Sequence, residues 1–164
     1  MSKTTDNLKE AFAGESQANR KYLAFAKKAE EEGLPQVARL FRAAAHAETI
    51  HAHAHLRLMK GIGSTAENLK EAVAGETHEF KSMYPGMIAD AQAEGEKAAE
   101  KYFVFANQAE ECHANLYSKA ADQMGELAAV DYYVCSICGH IHEGEPTEKC
   151  PICGAMPKAY GVVA

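Results

Sequence analysis

At 164 residues and a formal net charge of −6, the chain has room for one packed domain and a small appendage, and its acidity excludes the basic face that nucleic acid requires. Apolar residues make up 47% and tryptophan is absent, which suits a helical globular protein rather than a disordered one. No run approaches the ~20 apolar residues that cross a bilayer, and MSKTTDNLKEAF has no apolar stretch before a small-residue cleavage site, so a cytoplasmic protein with no membrane partner is expected. In a reducing compartment the five cysteines, four of them in CxxC pairs, read as metal ligands rather than disulfides.

The apolar spacing predicts four helices and a tail. Helix A runs from Asp6 to Glu32 with Leu8, Phe12, Glu15, Asn19, Tyr22, Ala26 and Ala29 on its inward stripe, and Gly33 ends it. Pro35 opens helix B, whose stripe is Val37, Phe41, Ala44, Glu48, His51, His55 and Leu58. After the break at GIGST (Gly61 to Thr65), helix C places Leu69, Val73, Glu76, Glu79, Phe80 and Met83 inward, with Pro85 expected to kink it. Gly95 separates it from helix D, which carries Phe103, Ala106, Glu110, His113, Tyr117 and Ala120 and stops near Gly125. From Val130 to Ala164 the helical period is gone and the segment reads as turns around cysteines.

The two helical halves repeat each other about 62 residues apart. NLKEAFAGE (Asn7 to Glu15) returns as NLKEAVAGE (Asn68 to Glu76), Phe41 as Phe103, and AETIH (Ala47 to His51) as AEECH (Ala109 to His113). Each half therefore delivers one Glu and then one Glu-x-x-His, all on stripes that should face the core. Burying such carboxylates without compensation costs several kcal/mol, so a cation is required among them. A lone Glu-x-x-His is usually a solvated helix face, but four such positions in register across a repeat make the carboxylate site for two irons or two manganese ions of a four-helix bundle. Glu79 breaks the symmetry, because its counterpart in helix A is Ala18. It is either a surplus oxygen ligand that an iron exchanges for the imidazole of His51, or the acceptor of a hydrogen bond from a ligating histidine. His46, His53 and His78 lie off the stripe and are expected at the surface, whereas His55 is one turn from His51 on the core side.

In the tail, Cys135 and Cys138, then Cys150 and Cys153, form two CxxC knuckles followed by Gly139 and Gly154. Four thiolates at this spacing mean one tetrahedral metal, zinc or iron. Taken alone the tail is a zinc ribbon; beside a bundle metal that changes valence, a sulfur-ligated iron becomes an electron relay.

AGES, AETIH, GETHEF followed by MYP, AEECH and the two cysteine knuckles occur in this order along essentially all of the chain. In this the sequence resembles the rubrerythrins, ferritin-like di-iron proteins fused to a rubredoxin-like domain. The resemblance implies a mainly α fold: a ferritin-like four-helix bundle over residues 1–124, followed by a small rubredoxin-like, zinc-ribbon-like metal domain over 125–164. It makes Glu15, Glu48, His51, Glu76, Glu79, Glu110 and His113 the di-iron ligands, with Glu48 and Glu110 bridging and with Glu79 and His51 exchanged by one iron. It gives Cys135, Cys138, Cys150 and Cys153 one further iron, and makes Tyr22 and Tyr84 tyrosines whose hydroxyls hold ligand carboxylates. The activity it implies is reduction of hydrogen peroxide to water in oxidative-stress protection. Electrons would arrive through the cysteine-bound iron from rubredoxin or an NAD(P)H-dependent rubredoxin reductase. The alternative is a ferritin-like ferroxidase with a structural zinc ribbon; an oxygenase would need an organic-substrate pocket that the sequence does not mark. Cys112 has no role in that pattern and is expected to pack.

Connection lengths bear on assembly. In ferritin-like bundles the second and third helices run parallel, yet helix B, Pro35 to Lys60, is about 39 Å long at ~1.5 Å per residue. Gly61 to Thr65 reaches only about 17 Å. The expectation is a homodimer, domain-swapped so that helices A and B of one chain complete a bundle with helices C and D of the other. An unwound helix end or an up-down-up-down topology would avoid the swap.

Overall fold

The structure, a computed structural model, describes residues 2–163. It divides into two compact units at the boundary between Gly63 and Ser64. No helix among the described residues is long and apolar enough to cross a membrane.

The first unit is a helical hairpin of α1 (Lys3–Glu31) and α2 (Pro35–Leu58). Ser2 caps α1 by accepting the Thr5 N–H, and Pro35 sits in the first turn of α2, where a missing N–H costs nothing. Ala26, Ala29, Ala38, Ala45 and Ala52 are the buried residues of the pair, small side chains that let the two backbones approach. Asn19 fixes the register, its amide donating to the Ala45 carbonyl at 2.7 Å and to Thr49 Oγ1 at 2.8 Å. Tyr22, Phe25 and Phe41 form an aromatic cluster with ring centroids 5.6 to 6.3 Å apart. Leu23, Phe25, Leu40, Ile50 and Leu58 stay exposed.

The second unit contains α3 (Thr65–His78), a π-helical turn (Glu79–Met83), α4 (Tyr84–Glu94) and α5 (Lys97–Asp122). The first three form one continuous rod, and its irregularity is not the simple proline kink expected at Pro85. Tyr84 N–H bonds to the Glu79 carbonyl five residues back, so a widened turn precedes the proline, which then occupies the first turn of α4. The tail is more ordered than a set of turns. β1 (Tyr132–Cys135), β2 (Ile141–Glu143) and β3 (Tyr160–Val163) form an antiparallel sheet in the order β2-β1-β3, with a 3-10 turn at Pro157–Ala159. Lys119 of α5 holds Glu143 of β2 through both carboxylate oxygens, at 2.7 and 2.8 Å.

The expectation that the repeated carboxylates are buried needs correction, since no polar or charged side chain among the described residues is fully buried. In the helices the fully buried residues are alanines, and the longer side chains flanking them, the carboxylates included, stand partly in solvent.

α3 begins at a reciprocal cap: Ser64 accepts the Glu67 N–H, while Ser64 N–H and hydroxyl donate to Glu67 Oε2 at 2.7 and 2.6 Å. The Ser64 hydroxyl and backbone N–H hold the Glu67 carboxyl below its ordinary range. Ser64→Ala is expected to cost about 1 kcal/mol, read as a lower thermal midpoint. Because the folded pKa is depressed, the Glu67 contribution is present above the unfolded carboxylate pKa, and the difference between parent and variant should shrink as pH falls through the folded value.

Candidate metal centres

Each unit carries one triad of ligand atoms. In the first, His51 Nδ1 lies 2.9 Å from Glu48 Oε2 on its own helix and 3.9 Å from Glu15 Oε1 on α1. In the second, His113 Nδ1 lies 2.6 Å from Glu110 Oε2 on α5 and 3.7 Å from Glu76 Oε2 on α3. The sequence repeat is thus a repeat of geometry: an i, i+3 pair on one helix faces a single Glu on the helix packed against it. The aromatic neighbours repeat too, with Tyr22 6.2 Å from Phe41 and Tyr84 6.1 Å from Phe103 between ring centroids. The first triad is the more open, since the His51 side chain is 55% exposed against 17% for His113.

Glu79 lies outside both triads of clustered ligand atoms. It begins the π-helical turn one helical turn beyond Glu76, close enough to Tyr84 for its charge to act on the phenol. Burial first, then the charges of Glu110, Glu79, Tyr102 and Glu76, raises the Tyr84 pKa and keeps its hydroxyl protonated. Tyr22 packs through its ring against Phe25 and Phe41. His46, His53 and His78 are exposed, and His55 is half-buried with its Nδ1 shielded and unpaired.

The triads fit metal ions on their donor chemistry. Glu76 is raised above the ordinary carboxylate range by burial, then by the hydrogen bond and charge of Glu110, against which His113 acts only partly. Two carboxylates crowded beside one imidazole repel until a proton or a cation joins them. Two carboxylates and one imidazole in each triad match a divalent ion in number and hardness.

The third cluster is the four cysteines. The Cys135 and Cys153 sulfurs are 3.7 Å apart, and those of Cys138 and Cys150 are 3.5 Å apart. Sulfurs each about 2.3 Å from one tetrahedral ion lie about 3.8 Å apart, so the cage is of metal size and far too wide for disulfides. The two knuckles share one build. Gly139 N–H bonds to the Cys135 carbonyl and Gly154 N–H to the Cys150 carbonyl, both at 2.9 Å, with both glycines at positive φ, where a side chain would be strained. Backbone N–H groups of His140, Ile152, Cys153 and Ala155 point at the sulfurs. Burial pushes the Cys138 thiol up, leaving a charge deficit that a metal ion supplies.

One contact that the sequence did not signal joins two of these clusters. His113 Nε2 lies 3.0 Å from the Gly139 carbonyl oxygen, directly after Cys138. An imidazole that donates from Nε2 leaves Nδ1 unprotonated, so this contact with the tail fixes the His113 tautomer with Nδ1 turned to Glu110 and Glu76. Cys112, one residue earlier, packs half-buried with its sulfur 3.5 Å from the Ile141 carbonyl.

The family model described as rubrerythrin matches residues 6–121, and that described as the rubrerythrin rubredoxin-like domain matches residues 133–160. The chain belongs to the rubrerythrin family. Among curated relatives it is 38% identical to rubrerythrin-2 of Clostridium acetobutylicum, over 96% of this chain and 95% of that protein. It is 41% identical to nigerythrin of Nitratidesulfovibrio vulgaris, over 92% of this chain and 81% of that protein. A solved structure of nigerythrin in a partially reduced state superposes with a TM-score of 0.60 at 38% identity, covering 99% of this chain and 88% of that one. A fully reduced, all-ferrous nigerythrin structure superposes equally well, with a TM-score of 0.60. The family is one of oxidoreductases whose cofactors are a di-iron site and an iron in the rubredoxin-like domain, and both donor sets are present here.

The crowding at Glu76 gives a stability test on metal-free protein. Because its folded pKa is raised, ionising Glu76 opposes folding; the penalty is absent below the unfolded carboxylate pKa and grows as pH rises through the folded one. Glu76→Gln should therefore raise the metal-free thermal midpoint at pH 7 by about 2–4 °C, the shift that ~1 kcal/mol gives in a chain of this size. The gain should fade toward about pH 4, and ferrous binding measured by calorimetry should weaken in the same variant.

Proposed function

We propose that the chain is a cytoplasmic hydrogen peroxide reductase of the oxidative-stress class, organised as a di-iron bundle over residues 1–124 and a cysteine-ligated iron module over 125–164. The observation that carries this reading is the hydrogen bond from His113 to the Gly139 carbonyl, because it couples a bundle ligand to the residue next to a cysteine ligand. A storage protein or a structural zinc ribbon gains nothing from such a junction. Electron delivery gains a short route made of one peptide unit and one hydrogen bond.

When bound, an iron pair supplies together the two electrons that turn hydrogen peroxide and two protons into two waters. The chain's part is to hold, orient and protonate. Glu15, Glu48 and His51, together with Glu76, Glu110 and His113, would hold the ions, the two histidines through Nδ1. Glu79 is the surplus carboxylate, and the π-helical turn that begins at it provides a backbone able to alter its reach. His51, the more exposed imidazole, is the donor for which Glu79 would substitute. Tyr84 keeps its proton at neutral pH and lies among Glu76, Glu79 and Glu110, where it can orient a carboxylate or pass a proton; Tyr22 holds the repeat-equivalent place. The electron donor is rubredoxin or an NAD(P)H-dependent rubredoxin reductase, whose contact is with the cysteine module.

The two triads form one centre across a homodimer, the hairpin of α1 and α2 in one chain lying against α3 and α5 of its partner. The short link after α2 and the exposed Leu23, Leu40, Ile50 and Leu58 support that arrangement. A monomer in light scattering with all metals retained would contradict it.

Glu79→Ala is expected to slow peroxide turnover while iron analysis finds much of the bundle metal retained; unchanged turnover would remove ligand exchange from the mechanism. Lys119→Ala loosens the clamp between α5 and β2. It should slow peroxide-driven reoxidation of the cysteine-bound iron by about 2–5-fold, the worth of a partly exposed ion pair, without emptying the four-cysteine site.

A further inference from the structure

Phe105, Cys112 and Lys119 follow one another at intervals of seven residues along α5, close to two helical turns, so they share one face of the helix. That face is turned to the tail at all three positions. Lys119 holds Glu143, the Cys112 sulfur lies 3.5 Å from the Ile141 carbonyl, and Phe105 packs against the buried cysteines Cys135, Cys138 and Cys150. The bundle stripe of α5 runs through Phe103, Ala106 and Glu110, so the second aromatic at 105 serves a different neighbour, the cysteine cage.

The tail supplies its own cover in Ile152, Ala155 and Tyr160, the last anchored by its hydroxyl 2.8 Å from His140 Nδ1. Phe105 adds a half-buried ring from another module. Solvent stands close by. Further along the same face of α5, a cleft of about 420 Å³ lined by Gln108, Cys112, His140 and Ile152 opens between helix and tail. The exposed Lys101 ammonium lies 5.6 Å from the centroid of the Phe105 ring.

We propose that Phe105 sets the reduction potential of the cysteine-bound iron: packed on the cage from α5, it keeps water from the thiolates and holds the potential low. This rests on the reading that iron fills the four cysteines. Reduction adds one electron and breaks no bond, taking the iron and its four thiolates from singly to doubly negative. The doubly negative state gains more from adjacent water, so an apolar cover disfavours it and moves the potential downward. The docked tail is therefore a stronger electron donor than an undocked one, and the bundle tunes the relay that serves it. Phe105 is a positioning residue for that relay and takes no part in peroxide chemistry.

The test is a redox titration of the iron-loaded full chain, followed by the visible absorption of ferric tetrathiolate, for the parent, Phe105→Leu, Phe105→Ala and Lys101→Gln. The expected result is a midpoint shifted to more positive potential in Phe105→Ala and close to the parent in Phe105→Leu, which keeps apolar bulk. An unchanged or more negative midpoint in Phe105→Ala overturns the proposal. Removing the Lys101 cation disfavours the reduced state, so Lys101→Gln is expected at or below the parent midpoint; a positive shift there as large as that of Phe105→Ala overturns water exclusion as the cause. The zinc-substituted parent gives a second reading that needs no variant. Nuclear Overhauser contacts between the Phe105 ring protons and the β protons of the cage cysteines are expected, and their absence overturns the packing on which the proposal stands. A colourless, zinc-filled tail in the protein as isolated would overturn the iron reading and with it the potential-setting role, while the ring contacts would still be observed; the two failures are therefore distinguishable.

Discussion

Repulsion among half-buried carboxylates is the constraint to which the helical part of this structure answers. Glu76 and Glu110 crowd a single imidazole nitrogen, and Glu15 and Glu48 do the same around His51. Cations between such groups relieve the repulsion, so metal binding is expected to add to the stability of the metal-free fold. The alanine seams follow from the same requirement. Small side chains bring α2 against α1, and α5 against α3, closely enough for an i, i+3 pair to face a single Glu.

A second constraint comes from the tail. Its sheet is small, and the buried cluster at the metal cage is made of the cysteines Cys135, Cys138 and Cys150, so a metal takes the place of a hydrophobic core. The Lys119–Glu143 pair, the Cys112 contact and the His113–Gly139 hydrogen bond then hold the tail to α5. Of the three residues of α5, His113 belongs to the triad with Glu76 and Glu110, and Cys112 adjoins it. The docking that orders the tail is therefore also the docking that orients His113, and neither module is fully described without the other.

Much of this was readable from the sequence because the chemistry is periodic. Glu15, Glu48, His51, Glu76, Glu110 and His113 stand out as charges on apolar stripes, and their recurrence with Phe41 and Phe103 excludes chance. The knuckles Cys135-x-x-Cys138 and Cys150-x-x-Cys153 stand out by spacing. What stayed hidden depends on packing rather than period. The π-helical turn at Glu79 has no local signature beyond the nearby Pro85, which suggests a kink at a slightly different place. His113 with Gly139, and Tyr160 with His140, are contacts between residues 26 and 20 apart in which one partner is a backbone carbonyl or a common aromatic. The degree of burial was overestimated because a stripe reveals which face turns inward but not how much surface covers it.

The most direct test is anaerobic stopped-flow. The iron-loaded protein is reduced chemically, mixed with one equivalent of hydrogen peroxide or of dioxygen, and followed by the return of ferric tetrathiolate absorption. If the proposed relay operates, the cysteine-bound iron would reoxidise quickly only through the dinuclear centre, so this one band would report on the bundle, the junction at His113 and the tail together. Rapid return with peroxide and slow return with dioxygen is the expected result. Absence of a visible band, or return with dioxygen as fast as with peroxide, would contradict a peroxidase supplied through its own tail and favour a ferritin-like oxidase.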